Sequence, residues 1–191
     1  LGTLDKLFIK GHYYSDKSPV PALWLAGVYG VFRLVTGWTA RTHADAFCYV
    51  LTLASSGLAY VVAVWSVWRL GRAVGLLRRW RLLLTAGFGL TTLAVPYLRH
   101  VNNHIMLLGV VAALMAEMAW AAREASWTWG RVLRLGLLAG MSYTIDIGTG
   151  PILLGGAALW LAWRCRPTKS RMQNEEPGTG NEERPSVPRS R

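Results

Sequence analysis

The sequence is poor in charged residues: 16% of its 191 residues are Asp, Glu, Lys or Arg, whereas soluble domains average about one-quarter. It has only two cysteines, and its start lacks the basic, apolar and small-residue regions of a signal peptide. The patterns HExxH, GxSxG and GxGxxG are also absent. The shortage of charge, together with the long apolar runs in which charge is missing, argues against a secreted, cytosolic or nucleic-acid-binding globular protein.

The charges that are present lie between long apolar runs. Residues 46 to 68 give 23 consecutive positions without a charged residue, residues 82 to 98 give 17, and residues 105 to 122 carry only Glu117. A bilayer core of roughly 30 Å is crossed by about 20 apolar residues in a helix. The sequence therefore predicts an all-α, polytopic transmembrane protein with five or six hydrophobic segments and the lipid bilayer as a partner.

The loops between these runs predict the topology. Residues 69 to 81 hold five Arg and no acid, and residues 123 to 134 hold three Arg and one Glu, so both are expected in the cytoplasm. Residues 99 to 104 (RHVNNH) then lie on the outer side. Glu117, close to the cytoplasmic end of its run, is expected to snorkel to the surface or to pair with Arg123.

Two apolar runs need a more detailed interpretation. Residues 132 to 163 are too long for one crossing, so we predict two short helices, about 133 to 145 and 151 to 163, with a break at DIGTGP. Residues 20 to 37 contain Pro21, three Gly and Arg33. This run either crosses the bilayer or lies along its outer interface, and its composition does not decide between the two.

The last 28 residues, 164 to 191, change to Arg, Glu, Pro, Ser and Gly. This composition predicts a disordered cytoplasmic tail that follows a transmembrane domain at residues 1 to 163. The chain begins at Leu1 without Met, and we expect it to be part of a larger domain whose first helix lies upstream. The expected location is the cell inner or plasma membrane, in a multi-pass arrangement with the C-terminal tail in the cytoplasm.

One motif in the N-terminal segment has a functional interpretation beside an ordinary one. YYSDKSP, residues 13 to 19, places two Tyr, an acid and a base directly before an apolar helix. Tyr and Lys commonly anchor a helix at the headgroup level, and Pro commonly begins one. In the functional interpretation Lys17 holds a phosphate by charge, and Asp16 either binds a metal or positions a donor sugar.

YYSDKSP resembles the Tyr-x-Glu/Asp-Lys-x-Pro motif of the GT-C superfamily of membrane glycosyltransferases. This superfamily includes relatives of the protein O-mannosyltransferases, the lipid A aminoarabinose transferases and the rhizobial lipopolysaccharide sugar transferases. RHVNNH and TIDIGTGP are similar to later elements of that family in order and spacing, so that the resemblance covers roughly residues 3 to 163.

The resemblance implies transfer of a sugar from a polyprenyl-phosphate carrier to an unidentified acceptor on the outer face of the membrane. It also implies that residues 11 to 17 lie on that face, and that a divalent metal ion, if one is used, is held by Asp16. The catalytic base of the family, an acid, is expected upstream of Leu1. The residues implied to bind lipid phosphate or substrate are Tyr14, Lys17, Asn103, His104 and Asp146.

Two other functions compete with the glycosyltransferase. A transporter or flippase also places polar groups in a membrane cavity, but it predicts an inverted repeat, and the sequence shows none. A non-catalytic fragment or accessory membrane subunit fits the absence of an assigned base. His100 and His104 have the i, i+4 spacing of helical metal ligands, but the two Asn between them favour a loop without metal.

Overall fold

The computed structural model describes residues 6 to 15, 18 to 124 and 127 to 164. Its described part is all-α apart from one hairpin, in which β1 (Lys6–Ile9) pairs antiparallel with β2 (His12–Ser15). The seven helices are α1 (Pro19–Thr36), α2 (Ala44–Ala73), α3 (Arg78–Thr91), α4 (Ala94–Tyr97), α5 (Asn103–Glu124), α6 (Trp129–Ile145) and α7 (Gly150–Arg164). Helices α1, α2 and α5 are long and apolar enough to cross a membrane, which confirms the coarse prediction of a helical protein with several candidate spans.

Apart from the single turn α4, the helices from α2 to α7 alternate in direction, so that α2 and α5 are parallel and the bundle has two chemically different ends. Trp68 meets Arg81 where α2 ends and α3 begins, and Arg69 meets Glu117 near the end of α5. We call this the arginine-rich end. At the opposite end, α5 begins close to the end of α6, where His104 meets Asp146, and we call this the histidine end.

Helices α2 and α5 pack closely against each other in the centre of the bundle. Gly109 lies so near α2 that a Cβ built on it would be 2.5 Å from the carbonyl oxygen of Ala59. Small residues at such a crossing allow two backbones to approach and to gain van der Waals contact, which is the main source of attraction between helices in a bilayer. Gly109 therefore sets the spacing of the central helix pair.

The expectation of one spanning helix over residues 82 to 98 is wrong. The helix ends at Thr91, Thr92 is extended, and the chain continues as the single turn α4. Pro96 accounts for the position of the break, because a proline clashes with the helical carbonyl four residues earlier, which here belongs to Thr92. The hydroxyl groups of Thr91 and Thr92 bond to the carbonyls of Gly87 and Phe88 at 2.6 and 3.0 Å.

The expectation of a broken pair over residues 132 to 163 is confirmed. Helix α6 ends at Ile145 and α7 begins at Gly150, within a residue of the predicted break. The turn is tight, since a Cβ on Gly150 would lie 2.4 Å from the carbonyl oxygen of Ser142. Helix α7 continues to Arg164, and the predicted tail from residue 165 onward lies outside the described residues.

Helix α1 packs at the histidine end and runs away from the bundle. The hydroxyl of Ser18 donates to the carbonyl of Thr144, Trp24 Nε1 donates to the carbonyl of Ala54 at 3.1 Å, and Tyr29 meets Phe47 edge-to-face at 5.2 Å. Because Trp24 contacts Ala54 and the later residue Tyr29 contacts the earlier residue Phe47, α1 and α2 are antiparallel. The start of α1 thus lies beside the end of α6, at the end of the bundle that carries His104 and Asp146.

Candidate functional site

Asp146 occupies the turn between α6 and α7 as a helix cap. Its Oδ1 accepts hydrogen bonds from the backbone N–H groups of Gly148 and Thr149 at 2.9 and 3.1 Å, and its Oδ2 accepts one from the Thr149 hydroxyl at 2.9 Å. An Asp side chain satisfies the unpaired N–H groups at a helix start in this way. The turn residues Asp146 to Gly150 therefore hold a carboxylate in a fixed position.

These hydrogen bonds favour the ionised carboxylate. The backbone N–H of Thr149 lowers the pKa of Asp146 most, and the Thr149 hydroxyl lowers it next. Partial burial raises the pKa, while the Gly148 N–H and nearby His104 lower it further, so that the pKa lies below its ordinary value of 3.8. Asp146 is consequently a permanent negative charge at neutral pH.

His104 brings an imidazole ring to this carboxylate. Its Nδ1 lies 3.3 Å from Asp146 Oδ2, and the contact becomes an ion pair when the imidazole is protonated. The His104 side chain is 76% exposed, whereas that of Asp146 is 19% exposed. The imidazole can thus reach a ligand from solvent, while the carboxylate orients it from behind.

The first turn of α5 holds His104 in place. Asn102 Oδ1 accepts hydrogen bonds from the backbone N–H groups of His104 and Ile105, at 2.9 and 3.3 Å. Asn102 is in turn held by Ser56, whose hydroxyl donates to the His100 carbonyl at 2.8 Å and accepts from the Asn102 N–H at 3.0 Å. The buried Ser56 on α2 therefore joins this loop to the central helix pair.

An apolar cavity of about 340 Å³ lies between α1, α2, α5 and α6. Met106 and Ile145 line it, and they follow His104 by two residues and precede Asp146 by one. Its walls are otherwise almost wholly hydrocarbon, including Trp24, Leu58 and Leu138. His104 and Asp146 do not line the cavity themselves, but they lie next to lining residues at its edge. This arrangement suits a molecule with a polar head and an apolar chain.

The structure brings together some of the residues that the sequence singled out. His104 and Asp146 are in contact, and Asn103 is the first residue of α5, directly before His104. Tyr14 lies in β2 opposite Leu7, but its side chain is outside the described part. Asp16 and Lys17 lie outside the described residues altogether.

The sequence interpretation missed Asn102 and Thr149 as positioning residues. Both could have been found from capping patterns, because Asn, Asp, Ser or Thr immediately before an apolar run is a common helix start. Within residues 6 to 15, 18 to 124 and 127 to 164 no group of three or more His, Cys, Asp or Glu could hold a metal ion.

The arginine-rich end carries a second polar cluster. Glu117 bonds to Arg69 on α2, with Nη2 and Oε1 2.7 Å apart, so the expected pairing of Glu117 with Arg123 is wrong. Arg123 instead donates to the carbonyls of Arg72 and Ala73 at 2.7 and 3.2 Å, where α2 ends. Helices α2 and α5 are parallel, since the contacts of residues 109, 117 and 123 on α5 fall on successively later residues of α2. Arg69 therefore faces Glu117 across the interface, and Arg123 reaches the free carbonyls at the end of α2.

No family model, no curated protein and no solved structure matches this chain.

Proposed function

We propose that this chain forms part of a membrane glycosyltransferase that binds a polyprenyl-phosphate-linked sugar at the histidine end. The observation that carries the proposal is the polar cluster of His104 and Asp146 at the edge of the apolar cavity between α1, α2, α5 and α6. A polyprenyl phosphate has the same division into an anionic head and a hydrocarbon chain. The motif resemblance of YYSDKSP adds the sugar and its transfer to this proposal.

In this proposal the residues have separate roles. The cavity takes the first part of the isoprenoid chain by excluding water from it. Lys17 binds the phosphate by charge, and the exposed imidazole of His104, oriented by Asp146, donates a hydrogen bond to the phosphate or the sugar. Ser18 follows Lys17 directly and contacts Thr144, which supports a position of the motif near the same cluster.

Attack of the acceptor on the anomeric carbon needs a carboxylate that removes a proton from the acceptor. The Asp146 carboxylate already accepts three hydrogen bonds from Gly148 and Thr149 and contacts His104. We therefore propose that Asp146 positions His104 and does not act as the catalytic base. Since the base is not assigned within this chain, the first test measures binding of the carrier.

Lys17→Ala and His104→Ala are expected to weaken binding of a fluorescent polyprenyl phosphate to the purified chain in detergent, each by about tenfold, as for the loss of a charge-assisted hydrogen bond. Lys10→Ala removes the same charge from the exposed hairpin turn and should leave binding unchanged. Val110→Trp, which fills the cavity, should also weaken binding.

Two results would contradict the proposal. One is equal binding by wild type, Lys17→Ala and Val110→Trp, and the other is equal loss in Lys10→Ala, which would mean that only overall charge matters. Carrier binding that is never followed by sugar transfer, even when the complete protein is supplied with an acceptor mixture, would favour the flippase or accessory-subunit function.

A further inference from the structure

The arginine-rich end contains a pocket that the proposed transferase site does not use. It has a volume of about 290 Å³ and is lined by residues of α2, α5 and α6, namely Arg69, Arg72, Glu117, Trp120, Glu124, Arg131 and Arg134. Four arginines and two glutamates leave this pocket with an excess of two positive charges. It lies at the opposite end of the bundle from His104 and Asp146.

The two acids of the pocket are each engaged by an arginine. Arg69 Nη2 lies 2.7 Å from Glu117 Oε1, and Arg131 bonds to Glu124. The excess positive charge is therefore carried by the remaining two arginines of the pocket. These two pairs stabilise the walls without neutralising the pocket as a whole.

Arg72 and Arg134 carry the charge that remains. Within the described part of the chain neither guanidinium has a carboxylate at ion-pair distance, and both side chains are exposed. Arg72 lies over the ring of Trp120, 5.9 Å from its centre. The indole N–H of Trp120 is buried, and among the described residues it has no acceptor. The pocket thus has donors and positive charge in excess of acceptors.

We propose that this pocket binds a phosphate-bearing anion through Arg72 and Arg134. Guanidinium groups match phosphate oxygens in paired hydrogen bonds, and a phosphate oxygen is also the type of acceptor that the Trp120 N–H lacks. Basic pockets between helices at the cytoplasmic ends of membrane proteins bind phospholipid headgroups. The proposal is independent of the function proposed for the histidine end.

The surroundings of the pocket favour a lipid as the source of the phosphate. Trp65 lies one helical turn before Arg69 and is 62% exposed, and Leu133 and Leu137 flank Arg134 on α6 with about the same exposure. These apolar side chains offer acyl chains a surface next to the charged pocket. An anionic phospholipid such as phosphatidylglycerol satisfies both features, whereas a soluble phosphate compound satisfies only the first.

Native mass spectrometry of the 191-residue chain in detergent tests the proposal with dioleoyl phosphatidylglycerol and dioleoyl phosphatidylcholine as probes. Wild type should bind phosphatidylglycerol in preference to phosphatidylcholine. Arg72→Gln/Arg134→Gln should weaken phosphatidylglycerol binding about 100-fold, that is, about tenfold for each lost charge-assisted hydrogen bond to the phosphate. Phosphatidylcholine binding should not change.

Two matched variants separate the pocket from total charge and from misfolding. Arg78→Gln/Arg79→Gln removes the same charge at the same end but outside the pocket, and should change phosphatidylglycerol binding by less than about threefold. Arg72→Lys/Arg134→Lys keeps both charges and should retain most of the binding. Glycerol phosphate in solution distinguishes a soluble phosphate compound from a phospholipid as the ligand. If it displaces the lipid, the phosphate alone accounts for the affinity, and if it does not, the acyl chains contribute as well.

The proposal is overturned if the Arg72→Gln/Arg134→Gln protein, with an unchanged thermal midpoint, binds phosphatidylglycerol as wild type does. It is also overturned if the Arg78→Gln/Arg79→Gln control loses as much affinity. If the Arg72→Gln/Arg134→Gln protein fails to fold, the comparison uses the folded Arg72→Lys/Arg134→Lys protein instead. The proposal is then overturned if that protein loses as much phosphatidylglycerol affinity as the Arg78→Gln/Arg79→Gln control.

Discussion

Addition of one methyl group at Gly109 should destabilise the protein, although the same change elsewhere in a helix stabilises it. A Cβ at Gly109 would lie 2.5 Å from the carbonyl oxygen of Ala59 and 3.0 Å from its carbonyl carbon and Cα. Ordinary contacts lie at about 3.5 Å or more, so α2 and α5 must separate by about 1 Å. Backbone atoms on both sides leave no side chain that could rotate away.

The expected magnitude is the difference between two terms. Ala gains about 1 kcal/mol over Gly from helix propensity, and overpacking of a close helix crossing costs about 1 to 3 kcal/mol. The separation also loosens contacts along the rest of the α2–α5 interface, and Gly109→Ala should therefore be less stable by about 1 to 2 kcal/mol. Gly136→Ala on α6 has no atom within 4 Å of its new Cβ and should be neutral or up to about 1 kcal/mol more stable.

The assay is reversible unfolding of both variants in the same detergent, with wild type beside them. Opposite signs for Gly109→Ala and Gly136→Ala are the expected result. Equal or greater stability of Gly109→Ala would refute the reasoning, because it would mean that the α2–α5 crossing is not limited by backbone contact at Gly109.

Two further predictions concern charged groups. Glu117→Leu should lower the free energy of unfolding in detergent by about 2 kcal/mol, less than the roughly 3 to 5 kcal/mol of fully buried pairs because the Arg69 side chain is 32% exposed. The double variant Arg69→Leu/Glu117→Leu should recover most of that loss. If the effects of the two single variants simply added in the double variant, the pairing would be contradicted. Because the pKa of Asp146 is lowered in the folded protein, the ionised carboxylate stabilises the fold fully above pH 3.8, and this contribution is lost as the pH falls through the folded-state pKa. Asp146→Asn should therefore make the free energy of unfolding less dependent on pH in the acid range. An unchanged pH dependence there would contradict the Thr149 cap.

The order and type of the helices followed from local sequence features. Helices α2 and α5 match apolar runs of spanning length that contain at most one charged residue. The break between α6 and α7 falls where Gly and Pro interrupt the last run. The 82 to 98 run was misjudged because hydropathy takes no account of backbone geometry. Pro96 and the threonines before it end α3 despite the absence of charge.

The partners of the polar residues could not be predicted in the same way. Glu117 was assigned to Arg123 because the two are close in the chain, whereas Arg69 is 48 positions away. His104 and Asp146 were each singled out, but their 3.3 Å contact depends on how α5 and α6 pack. Side-chain pairing across helices is decided by crossing position and rotation, and a single sequence carries little information on either.

By itself the sequence determined that the chain is helical, which segments are apolar enough to cross a membrane, and where arginine collects between them, because length, charge and Gly or Pro act locally. Only the tertiary structure decided that Gly109 fits against Ala59, that His104 meets Asp146 beside an apolar cavity, and that Arg72 and Arg134 share a pocket. Each of these depends on contact between residues distant in the chain, which arises when helices pack and not when they form.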